Sequence, residues 1–300
     1  MKQTFFLISI LIATNLYGQE LTKKVGSIEI ELIGHQYLRN DDFELTKKKT
    51  NKKNRPFEKI YLDSNGIVIK KVTFGKHHNT DLRLTDKIKI YQYNNEQLEE
   101  IVLYESDYEK NVYPFSKTEL TYGTTGKLTD STTYSITDNS SHKINFEYDE
   151  NSNKTKTILY PDYYYERNFD SINRLKSFKQ IFENKLRWEW TYAYTEKQRI
   201  GTFRTHYNDG EDYTKLEIVS YNEKGNRIEI EEKQVSRDGL NEKTKFFFHP
   251  NGLLQKIEKY QSYSNSEEYG LNSFTDIKLK TKINLDDGTI KRINDVIVTK

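Results

Sequence analysis

The stretch IVSYNEKGNRIEI, residues 218–230, alternates apolar and polar residues into Tyr221-Asn222, passes through Gly225-Asn226, and alternates again from Arg227. Period-two alternation sends successive side chains to opposite faces of a strand. An Asn-to-Gly piece between two such runs has the residues a tight turn needs: a side chain that bonds the backbone two residues on, and a position that tolerates positive φ. The stretch therefore reads as one β-hairpin with an apolar face that ends at Tyr221.

Similar stretches recur along the chain. Aligned on Tyr221, they place anchors at Leu62, Tyr93, Tyr122, Tyr148, Phe169, Tyr194, Tyr221, Phe248 and, weakly, Leu285, at intervals of 21 to 37 residues. Two residues before these anchors stand Ile60, Tyr91, Leu120, Phe146, Arg167, Tyr192, Val219, Phe246 and Ile283; all but Arg167 are apolar. Four residues after come mostly turn formers, among them Gly66, Gly126, Ser152, Asn173, Gly225 and Gly252. Each unit is a hairpin that cannot bury its apolar face alone, so the copies must stack side by side.

FEYDENSN, IVSYNEKGNRI and LTYGTTGKL resemble the YD-repeat (RHS-type) signature, which runs roughly Y-x-Y-D-x-x-G-x-L. The likeness covers about residues 58–260. It implies a β shell of tandem hairpins; family members often enclose a C-terminal toxin, and no toxin-like segment follows the repeats in this sequence.

Composition agrees with an amphipathic sheet. Hydrophobic residues make up 34% and charged residues 31% of the 300, a balance that on its own suggests disorder. The 23 Tyr and 15 Phe argue otherwise, because aromatic rings bury large apolar areas. Net charge is +2, from 47 basic and 45 acidic side chains mixed along the chain, so no field of one sign is available to recruit nucleic acid. The basic run KKKTNKKNR, residues 47–55, reads as a solvated loop.

The N-terminus MKQTFFLISILIATNLYGQ joins Lys2 to a short apolar run and a small residue at Gly18, the layout of a cleaved signal peptide. The run is too short to span a bilayer as a helix, and no later segment is apolar enough. This start and the Asn/Lys/Ile-rich composition resemble exported proteins of the Bacteroidetes. The expected organisation is a signal peptide at 1–18, an N-terminal cap at 19–57, hairpin repeats at 58–274 and capping strands at 275–300. The mature chain is expected in the periplasm or outside the cell, as a monomer. No cysteine is present, so disulfides contribute nothing.

Catalytic signatures are missing: there is no Gly-x-Ser-x-Gly, no His-Glu-x-x-His and no thiol. His77-His78 would face opposite ways on a strand, and Asp209, Glu211 and Asp212 lack the spacing of a calcium loop. No catalytic residue, metal ligand or cofactor is assigned. His249 stands where other copies carry Asp or Asn and is read as a turn residue.

The sharpest local feature is RWEWTYAY, residues 187–194. Trp188, Trp190, Tyr192 and Tyr194 share one side of a strand. Tyr192 and Tyr194 hold the buried register of the repeat, which puts both tryptophans on the inner face and favours a core role for the row. If that face stays accessible, the row is a stacking platform for sugar rings or a ridge for a protein partner. YYYERNF, residues 163–169, has the same ambiguity. Ligand binding is assigned to Trp188, Trp190, Tyr192, Tyr163 and Tyr165.

The fold expected is all-β: tandem antiparallel hairpins forming one long twisted sheet curled into an open barrel or shell. The function expected is that of a non-enzymatic exported protein binding a glycan or protein partner or serving a structural role. An antitoxin- or immunity-like protein is the alternative. A carboxylate-based glycosidase is a third reading and needs two carboxylates about 5–10 Å apart in a cleft.

Overall fold

A computed structural model describes residues 28–39, 45–49, 55–76, 83–107, 111–206, 213–236, 239–263, 269–280 and 285–298. The leader, residues 50–54 of the basic run, His77-His78 and residues 207–212 lie outside them.

Strands β1 (Ile28–Arg39) and β2 (Leu45–Lys49) precede eight hairpins. These are β3 (Glu58–Leu62) with β4 (Val68–Lys76), β5 (Arg83–Asn94) with β6 (Gln97–Ser106), β7 (Val112–Tyr122) with β8 (Leu128–Ser135) and β9 (Ser141–Tyr148) with β10 (Lys154–Tyr160). The series continues with β11 (Tyr163–Phe169) and β12 (Leu175–Phe182), β13 (Lys185–Tyr194) and β14 (Gln198–Thr205), β15 (Thr214–Tyr221) and β16 (Arg227–Gln234), and β17 (Leu240–Phe248) and β18 (Leu254–Tyr263). Strand β19 (Gly270–Leu279) and helix α1 (Asp287–Val298) complete the order.

The hairpins fall where the repeat puts them. Each anchor from Leu62 to Phe248 is the last residue of its first strand, or at Tyr93 the last but one. The turns are held by the residue that follows the anchor. Asp63 Oδ1 accepts from the amides of Asn65 and Ile67, at 2.8 and 2.9 Å. Asp149, Asp170 and Asn222 each accept from an amide four residues on in the same way. Four residues past the anchor the backbone turns left-handed, with φ of 79° at Gly66, 73° at Gly126, 71° at Ser152, 61° at Asn173, 75° at Gly225 and 86° at Gly252. His249 occupies the same turn position: its amide donates to Leu253 O and its carbonyl accepts from Gly252 N.

The anchors also join one hairpin to the next. Tyr93, Tyr122, Tyr148 and Tyr194 donate their hydroxyls to Val68 O, Leu98 O, Leu128 O and Leu175 O, at 2.9, 2.6, 2.9 and 2.8 Å. Each acceptor is the residue paired with the preceding anchor. This explains the preference for Tyr over Phe: the ring packs on the sheet while its hydroxyl satisfies a carbonyl one hairpin away.

The curled antiparallel sheet closes. β1 pairs with β3 through Ile28–Leu32 and with β19 through Ile30–Gln36, both antiparallel. Eighteen strands thus form a continuous ring in which each pairs with two neighbours, and β2 adds to one end of β1. Closure removes the free edges that an open sheet of this length would expose. The strand that pairs with the first hairpin is thus also the closing strand.

One expectation is corrected. Asp287–Val298, read as part of the capping strands, is a helix, and Leu285 is therefore the anchor of no hairpin. Asp286 caps the helix: its Oδ1 accepts from Thr289 N at 2.7 Å and its carbonyl from Ile290 N at 3.0 Å. Ile290, Ile293 and Ile297 follow at helical spacing and are all buried. They pack on Ile28 and Ile30 of β1, Ile60 and Leu62 of β3, Leu254 of β18 and Ile277 of β19. Asn294 donates to Gly252 O and accepts from Leu254 N, both at 2.8 Å, while Arg292 donates to Asn65 O at 2.6 Å. The helix thereby ties the turn of the first hairpin to that of the last, across the strands that close the ring.

Candidate functional site

The face of the sheet that carries the anchors also carries the five residues singled out above, and strand register brings them together. Tyr165 of β11 pairs with Gln180 of β12, which pairs with Trp188 of β13. Beside this row, Arg167 pairs with Phe178, Phe178 with Trp190, and Trp190 with Phe203 of β14. Pairing in register keeps each row on one face.

The rings are in continuous contact. Ring centroids are separated by 5.7 Å between Tyr165 and Phe178, 5.2 Å between Phe178 and Trp188, and 5.8 Å between Trp188 and Phe203. Tyr165 also meets Trp188 directly at 5.9 Å. Trp190 lies 5.2 Å from Phe203 and stacks on Tyr192 at 6.0 Å with the planes 5° apart. Phe203 reaches Tyr213 at 6.1 Å, and Tyr163 joins Tyr165 to Phe182. Gly201 of β14 pairs with Tyr192. A Cβ there would lie 3.0 Å from the Tyr192 ring and 3.1 Å from the Trp190 ring, so glycine lets both rings lie across the strand.

This aromatic field is neither core nor fully open. Tyr163, Tyr165, Phe178, Trp188, Trp190, Tyr192, Phe203 and Tyr213 are half-buried, and Phe182 is exposed. Polar groups border it. The hydroxyls of Tyr163 and Tyr165 are 2.8 Å apart, and Gln180 Nε2 donates to Tyr163 at 2.8 Å. Burial pushes the Tyr192 hydroxyl up to about 12, so it stays protonated at neutral pH. Cations lie over several rings: Arg167 over Phe178 at 4.5 Å, Arg199 over Tyr192 at 5.1 Å and Lys154 over Phe146 at 4.7 Å.

Phe178, Gln180, Phe203 and Tyr213 escaped the reading of the sequence because they join the field only through register. Arg167 carried a visible signal, as the one charged residue at its position in the repeat. A separate cleft of about 580 Å³ lies between α1 and the turns at 222–226 and 249–253. Its walls include Tyr221 and Phe248 together with charges of both signs, Arg227, Asp287, Lys291 and Asp295. Among the described residues no group of three or more His, Cys, Asp or Glu gathers as for a metal ion. No helix among them is long and apolar enough to cross a membrane.

Fold and site together define a closed barrel of tandem β-hairpins with an aromatic field on its anchor face. No family model matches the chain, and no curated protein is similar to it. Several solved structures align with the chain at low identity. A crystal structure of TcdB2-TccC3-TEV aligns with 81% of this chain at 9% identity and a TM-score of 0.39. The chain spans 13% of that protein's length. A porin-like protein from Bacteroides uniformis aligns over 84% of this chain and 96% of its own, at 9% identity and a TM-score of 0.38. The Tc holotoxin pore of Photorhabdus luminescens aligns over 80% of this chain and 16% of its own, at 12% identity and a TM-score of 0.29.

Proposed function

We propose that the chain is an exported, non-enzymatic repeat protein of the YD type that binds a glycan on the aromatic field of β11–β14. The observation that carries this reading is the field itself: nine rings in continuous contact, none fully buried, bordered by a Tyr163–Tyr165–Gln180 hydrogen-bonded group. Sugars present flat C–H faces edged by hydroxyls. A field of half-exposed rings bordered by phenol and amide groups matches both parts of that surface. Export is supported by the leader-like start of the sequence. Membership of the YD-repeat family is supported by the motif and by its coincidence with the eight hairpins.

Both tryptophans lie in β13, so intrinsic fluorescence watches this one place. Titration with a panel of oligosaccharides is expected to give a saturable shift that Trp188→Ala abolishes. Emission that no saccharide moves would overturn the glycan reading; the same field would then be examined as a ridge for a protein partner, by pull-down with Trp188→Ala as the control.

A further inference from the structure

Three arginines near the field have acidic partners. Arg199 pairs with Glu217 at 2.7 Å, Arg174 with Asp170 at 2.8 Å and Arg187 with Glu183 at 3.6 Å. Arg167 and Lys154 differ. Among the described residues neither has a carboxylate within ion-pair distance, although both are half-buried on the anchor face. Arg167 lies over the ring of Phe178 and donates one N–H to Thr157 Oγ1 at 3.0 Å; a guanidinium has five such donors. Lys154 pairs in register with the anchor Tyr148 and lies over Phe146. Phe178 touches both Tyr165 and Trp188, so Arg167 borders the aromatic field directly.

Arg167 stands in the apolar register of the repeat. The column that holds Arg167 is otherwise Ile, Tyr, Leu, Phe, Tyr, Val, Phe and Ile. Opposite the other anchors stand Val68, Leu98, Leu128, Leu175 and Leu254, and the cations Arg199 and Arg227; Arg199, unlike Lys154, has Glu217 beside it. Partial burial of two neighbouring cations without counter-charge is costly. Desolvation lowers the pKa of each, and the nearby Arg167 charge lowers that of Lys154 further. An anion placed between them would relieve both effects.

We propose that the ligand of the aromatic field is an acidic saccharide, whose ring carboxylate or sulfate is received by Arg167 and Lys154. The proposal rests on the glycan reading above and adds charge to it. Arg167 has the planar fork that suits a carboxylate or sulfate edge, and Lys154 supplies a second, point-like charge. The rings take the sugar faces next to it.

The test uses tryptophan fluorescence of the whole chain with oligouronates and their carboxyl-reduced counterparts, which keep the skeleton and lose the charge. The acidic form is expected to bind at least about tenfold more tightly, with an advantage that shrinks as salt is raised. Arg167→Gln and Lys154→Gln are each expected to lose about that factor for the acidic form and clearly less for the reduced form. Trp188→Ala is expected to abolish binding of both. Equal binding of the two forms, untouched by Arg167→Gln, would overturn this inference and leave the glycan reading standing. No binding of either form, together with silence across the neutral panel, would overturn both.

Discussion

Where β1 meets β3 and β19, the anchor face is aliphatic and dry: Ile28, Ile30, Ile60, Leu62, Leu254 and Ile293 are all 0% exposed. Across β11–β14 the same face and the same register hold Tyr165, Phe178, Trp188, Trp190 and Phe203, and every one is half-exposed. The alternation is alike in both regions. The difference is that α1 lies over the first. Small, branched, purely apolar side chains fill the space beneath a helix. Rings with polar edges and cations over their faces occupy the region that water reaches. Period-two alternation therefore marks the apolar face, while a second layer decides whether that face becomes core.

The contrast can be broken most directly at its driest point. Ile293→Ala removes a fully buried side chain from the helix and is expected to cost about 3 kcal/mol in denaturant unfolding. Trp188→Ala removes a larger side chain from the field and is expected to cost only about 1–2 kcal/mol, because its ring is half-wet already. A larger loss at Trp188 than at Ile293 would make the field the true core and remove the basis for a binding platform. Next in size is Asn294→Ala, which leaves Gly252 O and Leu254 N without their partner in the helix. About 2 kcal/mol is expected. Protection of the Leu254 amide in hydrogen exchange should fall with it, while amides of β13 stay as slow as before.

The eight hairpins were legible because each is a local event. An anchor, an Asp or Asn beside it and a positive-φ residue four positions on lie within one turn, and short-range chemistry settles them. The ninth copy shows the limit. INLDDGTI has the same Asp and Gly, yet Asp286 caps a helix there, because Ile290, Ile293 and Ile297 continue at helical spacing. Closure was not legible. β1 and β19 meet across more than 230 residues, and nothing in either strand names its partner. The site divided in the same way. Trp188, Trp190 and Tyr192 were visible as one strand, whereas their contact with Tyr165, Phe178 and Phe203 exists only in register.

The turns sharpen the comparison at finer scale. Gly66 and Gly126 hold the same place in the repeat, with φ of 79° and 73°. A Cβ on Gly66 would stand 3.0 Å from Thr289 Cγ2 of the helix, whereas one on Gly126 meets nothing within 4 Å. Gly126→Ala is expected to cost about 1 kcal/mol, the strain of a left-handed backbone alone. Gly66→Ala should cost about 2 kcal/mol, since the helix must also shift. Gly126→Asn should recover most of its loss, as Asn173 already adopts φ of 61° at that position. Equal costs for the two alanine variants in urea midpoints would mean that α1 yields freely, against the tight packing seen over the first hairpin.

The smallest effect expected lies in the turn acids, far from α1. The Asp149 pKa is lowered, chiefly by its hydrogen bond from the Asn153 side chain. A depressed carboxyl adds stability above its unfolded pKa, near 4, and that stability is lost as pH falls through the lower folded value. Asn222 shows that a neutral amide serves the same turn: its Oδ1 accepts from Lys224 N and Asn226 N at 3.0 and 2.9 Å. Asp149→Asn is therefore expected to unfold near the wild-type urea midpoint at pH 7. Between pH 5 and pH 3 it should lose slightly less stability than the wild type, because one acid-sensitive carboxyl has gone. A variant whose stability falls just as far on acidification would place the acid sensitivity elsewhere, with Glu31 at the seam, whose pKa is lowered beside Lys59 and Lys280, as the next to test.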